Sequence, residues 1–157
     1  MVNKEIQYIN AMLKELINGE PWYGRSAYAI LAEVDEKKVY RRLKENTHSL
    51  IELLYHTIAW ASFIEKWLDQ GQEVDPASFD SMDWIEINPS VHSWENGMAQ
   101  FETVFKRVIS LLEKKEDSLL EETVSRRQYN FRFLLHGLIQ HTVYHLGQIA
   151  YLNKLLD

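Results

Sequence analysis

The sequence predicts an all-α protein, a four-helix bundle, on three observations. Apolar residues recur at three- and four-residue spacing along four long stretches, no sustained period-two alternation appears, and helix start and stop signals bracket the stretches. The first stretch carries Ile6, Ile9, Leu13, Leu16 and Ile17 and ends near Gly19. Residues 19–24, Gly-Glu-Pro-Trp-Tyr-Gly, read as a turn, because Pro and Gly interrupt helices for steric and entropic reasons. Ser26 can cap a short helix over 27–33, and a second short helix is expected over 36–43.

Ser49 followed by Glu52 has capping-box spacing ahead of Leu53, Leu54, Ile58, Trp60, Ile64, Trp67 and Leu68. This second long helix is expected to end at Gly71. Residues 72–92 carry Pro76, Pro89, five acidic residues and little periodicity, and read as a long connection. Fully extended, roughly 20 residues span about 65 Å, longer than any helix here, so the third helix is free to run either way relative to the second. That third helix begins near Ser93 and runs through Met98, Phe101, Val104, Phe105, Val108, Leu111 and Leu112. A short helical turn follows over 118–124, and the fourth long helix runs from about 128 to 156. Four long amphipathic helices and one long crossover make a bundle.

The 157 residues fit one domain with a sizeable core. The net charge is -6 with the acidic excess spread along the chain, whereas phosphate-backbone binding needs clustered cations, so nucleic acid is not an expected partner. The basic run from Lys37 to Lys44, with Arg41 and Arg42, reads as a solvated helix face. No cysteine is present, which removes disulfides, thiolate metal sites and a cysteine nucleophile. A metal must be held by nitrogen or oxygen, and any thiol in a reaction must arrive with a substrate. The opening MVNKEIQYIN has no apolar run of a signal peptide, and no stretch has transmembrane length, so a cytoplasmic address without membrane attachment is expected.

The residues that can carry chemistry are histidines. His141-Thr-Val-Tyr-His145 lies inside the fourth helix, where residues four apart are offset by about 40° and stacked about 6 Å along the axis. Both imidazoles can therefore reach one ion, although such a pair also occurs on solvated stripes. Leu134, Leu138, Leu152 and Leu155 share their helical spacing, which places the pair on or beside an apolar stripe. A buried imidazole without a polar partner costs about 1–3 kcal/mol, and a metal would supply that partner. His56 falls in line with Leu53, Trp60, Ile64 and Trp67 on the second helix. Alone it reads as a core histidine; beside the pair it completes a three-histidine site.

Three imidazoles with open positions form the pattern of catalytic rather than structural ions, and zinc, nickel or iron suits them. Gln148 shares the face of His141 and His145 and can assist from behind the ligands. Glu52, one turn before His56, can orient that ring or close the capping box, with the cap favoured. Trp60 and Tyr144 are candidate pocket walls, and core packing accounts for them equally well. Gly147, inside a strong helix where glycine costs about 1 kcal/mol against alanine, suggests close approach of another helix or a substrate. His48, His92 and His136 read as separate; His136 stands about 140° around the helix from His141, and only His48 has reach toward a pocket mouth. No phosphate-binding glycine loop, nucleophile elbow or carboxylate pair appears.

The tract 137–149, Gly-Leu-Ile-Gln-His-Thr-Val-Tyr-His-Leu-Gly-Gln-Ile, resembles the last-helix signature of the DinB/YfiT-like superfamily. Residues 49–59 resemble its second-helix motif, which supplies the first ligand, and residues 19–24 resemble the turn after its first helix. The resemblance covers nearly the whole chain and is loosest over 72–92. It implies an up-down-down-up bundle with two parallel central helices and one divalent ion on His56, His141 and His145. It also implies thiol S-transfer with low-molecular-weight thiols such as bacillithiol, thiol-dependent isomerisation, or metal-dependent hydrolysis. A homodimer is expected from the family's habit and the aromatic-rich helical surface. The expected function is thus a divalent-metal-dependent S-transferase or hydrolase acting on a small molecule. The rival is a non-catalytic metal- or ligand-binding stress-response protein that serves as a dimeric helical scaffold.

Overall fold

The structure, a computed structural model, describes residues 4–71, 75 and 77–156. Its helices are α1 (Lys4–Asn18), α2 (Ala27–Ala32), α3 (Leu50–Gln70), α4 (Ala77–Asp80), α5 (Trp94–Leu112) and α6 (Phe131–Leu155), with 3₁₀ turns at Glu36–Lys38 and Asp117–Glu121. Among the described residues there is no strand, only an isolated bridge between Thr123 and Asn130. None of the described helices is long and apolar enough to cross a membrane.

The helix starts follow their caps. Ser49 and Glu52 form a reciprocal capping box, Ser93 accepts from the Asn96 amide, and Ser26 accepts from that of Ala29. The α3 helix ends at Gly71, whose φ of 68° is a left-handed value that favours glycine over any side chain with a Cβ. The fourth long helix starts later than its apolar pattern suggested, at Phe131, because Asn130 caps it and the Thr123–Asn130 bridge holds the preceding turn. The helix expected over 36–43 shrinks to one 3₁₀ turn capped by Asp35. Its apolar content is one buried residue, Val39, too little to pin a longer amphipathic helix.

α3 is buried on most of its surface, between α5 on one side and α6 on the other, while α1 also packs against both. α5 lies close against α3 at Gly97, where an added Cβ would come within 2.7 Å of Leu54 Cδ2. Further along, Arg107 pairs with Glu65 and Asp69, so the two helices step in the same sense. Against α6 the sense reverses: His56 meets His141 and His145, whereas Ile64 lies with Leu134. The connection after α3 is not plain loop. Phe79 on α4 packs on Trp60 and Phe63, with ring centroids at 4.5 and 4.4 Å, and so folds the chain back over α3.

Candidate metal centre

His56 lies near the start of α3, and His141 and His145 lie one turn apart on α6. One ring nitrogen from each falls within 4.8 Å of the other two. The Nε2 atoms of His56 and His141 are 3.0 Å apart. His56 and His145 are buried, and His141 is partly so.

The partners of the outer ring nitrogens fix what the inner ones can offer. His56 Nδ1 lies 2.9 Å from the carbonyl oxygen of Asp83 and 3.0 Å from its Oδ1, so this nitrogen carries the proton and donates it. His145 Nδ1 donates to Gln148 Oε1 at 2.6 Å. Both rings therefore present an Nε2 lone pair inward. His141 adds its own Nε2, and its Nδ1 is buried with no hydrogen-bond partner among the described residues. Two lone pairs and a third imidazole nitrogen converge on one spot with no acidic hydrogen to satisfy them all. A cation answers that donor set, so the residues present fit a divalent ion.

Electrostatics keep the rings neutral. Burial pushes His141 down to about 3, with the neighbouring His145 and His56 adding to the effect. His56 and His145 are also lowered by burial, which outweighs the opposing pull of Asp83 on the first and of Gln148 on the second. Neutral imidazole is the ligating form.

The sequence model of the DinB superfamily matches residues 24–149. The chain belongs to the DinB superfamily. No match is found among the curated proteins.

The other residues singled out in this DinB-superfamily chain fall in different places. Glu52 is used by the Ser49 cap and by an ion pair with Arg42, and Asp83, not Glu52, holds His56. Trp60 stands 5.6 Å from His141, ring to ring, and lines a cavity of about 220 Å³ beside it. Tyr144 does not line that cavity: it is exposed, edge-on to His145 at 5.0 Å. Gly147 is exposed, and among the described residues nothing lies within 4 Å of its Cβ position; the close helix approach is at Gly97. His92 accepts from the Asn88 amide, and His136 sits by Glu5, both apart from the cluster.

Two residues at the centre escaped sequence reasoning. Asp83 is one, and Trp84 is the next: its ring stacks on His56 at 3.8 Å and on His48 at 3.8 Å. His48, the one further histidine with reach toward a pocket mouth, thus belongs to the same aromatic stack. The only sequence signal was a tryptophan beside an aspartate in an otherwise polar connection.

Proposed function

We propose that this DinB-superfamily protein is a metal-dependent enzyme that transfers a small thiol to an electrophile, with one zinc, nickel or iron ion held by His56, His141 and His145. The observation that carries the reading is the convergence of three neutral imidazoles, two of them with their lone pairs fixed inward by Asp83 and Gln148. A divalent ion there lowers the pKa of a thiol or water and makes the anion available near neutral pH. Asp83 and Gln148 hold two ring planes, and burial keeps each ring from taking up a second proton. Trp84 covers one face of His56 against solvent. The thiol comes from a cosubstrate, since the chain has no cysteine. In the transfer, sulfur forms a bond to the electrophilic carbon, the leaving group departs with its electron pair, and the thiol proton passes to solvent. Hydrolysis is the same displacement with water as nucleophile.

The test is conjugation of bacillithiol or glutathione to 1-chloro-2,4-dinitrobenzene by native, chelator-treated and His145→Ala protein. Turnover by native protein only is expected. Turnover that survives complete removal of the ion overturns the reading, and ester hydrolysis without thiol transfer selects the hydrolase form. A second reading, a dimeric scaffold that binds metal without catalysis, has its own support in the outward stripe of α6. Phe133, Tyr144 and Tyr151 are each more than 60% exposed there. Light scattering that returns a single-chain mass at micromolar concentration removes it.

A further inference from the structure

The cavity beside His141 has features that the ligation of an ion does not use. It lies between α3 and α6, with a volume of about 220 Å³. Trp60, Tyr129, Phe133 and Leu138 line it, so its walls are almost wholly apolar. Tyr129 and Phe133 stand as a tilted pair with centroids 5.2 Å apart. Phe133 is 66% exposed, a large apolar side chain that Tyr129 covers on one side only.

Gly137 also lines the cavity, in the middle of α6. A Cβ there would meet nothing within 4 Å. The glycine is therefore not required by backbone packing, and it is a poor helix former. What it does is leave the space empty. Apolar cavities of about 150 Å³ accept benzene, so this one, which opens to solvent beside Phe133, has room for a substituted single ring. His141 belongs to both places: it lines the cavity, and its Nε2 is 3.0 Å from that of His56.

We propose that this cavity is the pocket for a single aromatic ring of the substrate, which sets the electrophile's reactive carbon beside the histidine cluster. The proposal rests on the reading of that cluster as the reaction site. It names the substrate class: small, neutral and aryl-bearing. The ring is held by Trp60, Tyr129 and Phe133 through offset and edge contacts.

The test uses 4-fluorotoluene followed by fluorine NMR, on zinc-loaded, cobalt-loaded and metal-stripped full-length protein and on Gly137→Leu. Saturable binding is expected in all three native forms. The bound fluorine should relax faster beside paramagnetic cobalt than beside zinc. Gly137→Leu fills the cavity and should bind at least tenfold more weakly, while its circular dichroism and zinc stoichiometry match native protein. The proposal is overturned by no saturable binding, by equal binding to Gly137→Leu, or by binding without enhanced relaxation in protein that has taken up cobalt. Binding that appears only on dilution to monomer also overturns it, because a second copy of the chain then fills the space. Native protein that binds the probe, loses it in Gly137→Leu and takes up no metal retains the ring pocket but loses the metal reading.

Discussion

Two polar clusters on α6 are built from similar numbers of ionisable groups and treated in opposite ways. Near the helix start, Arg132 bridges Glu5 at 2.6 Å and Glu121 at 2.7 Å, while the Asp117 carboxylate accepts from the amides of Lys4, Glu5 and Ile6. These interactions join α1, the 3₁₀ turn and α6. Further along the helix, His141 and His145 meet His56 with the charge removed and one buried nitrogen unpartnered. A cluster whose donors and acceptors are matched holds elements together. The other keeps lone pairs unspent in a buried place, at a cost to stability, and that is a mark of function rather than of architecture.

The largest effect expected from this contrast is on metal affinity. His56→Ala should abolish occupancy, whereas Gln148→Ala should weaken binding by about 10–100-fold, because His145 loses the acceptor that fixes its tautomer. Asp83→Ala should cost less than Gln148→Ala, since the Asp83 backbone carbonyl still accepts from His56 Nδ1. Zinc titration against a competing chelator ranks the three. An Asp83 variant weaker than the Gln148 variant would mean that the carboxylate, not the carbonyl, holds His56.

What the sequence showed of these two regions differed for a physical reason. Helices write themselves into periodicity and caps, so the four long helices and the Ser49–Glu52 box were legible from local spacing. The histidines were legible too, because they lie on those helices in phase with leucines. Asp83 and Trp84 were not: they come from a connection whose position depends on Phe79 docking against Trp60 and Phe63. Glycine within a helix gives the same signal at positions 97, 137 and 147, and only tertiary contact separates them. Position 97 is a helix contact, 137 an empty cavity wall and 147 open surface. The pairing of Arg132 with Glu5, across 127 residues, likewise leaves no local trace.

The two clusters should also separate on a pH axis in metal-free protein. Folding lowers the His141 pKa from 6.5 to about 3 and lowers those of His56 and His145. The unfolded chain then takes up protons that the folded chain refuses, so stability is full above pH 6.5 and falls as the pH drops from there toward 3. Glu5, Glu121 and Asp117 are held low by Arg132 and by backbone amides, from ordinary values of 4.5 and 3.8, and contribute loss only nearer those values. Between pH 6.5 and 4.5 the histidine cluster therefore contributes a decline that the carboxylates do not. Thermal melting of chelated protein should show Tm falling across this window, with a flatter slope in His141→Phe. An identical slope in that variant would place the acid sensitivity elsewhere. Zinc should oppose the fall, since it binds only the folded, neutral cluster.

The smallest effect should come from the better-paired cluster. Arg132→Ala removes two ion pairs, yet the side chains of Glu5 and Glu121 are 40% and 70% exposed, and water replaces the lost partner readily. The charges left behind when the guanidinium goes are these two carboxylates, and neither is buried. A small fall in Tm is expected at low salt, and it should shrink further in 1 M sodium chloride, where the screening length is about 3 Å. Zinc affinity should stay at the native value, because none of the removed bonds reaches His56, His141 or His145. A Tm loss in Arg132→Ala as large as that of a core truncation, or a change in zinc affinity, would show that the two clusters on α6 are coupled through the helix. The division between a structural end and a chemical middle would then fail.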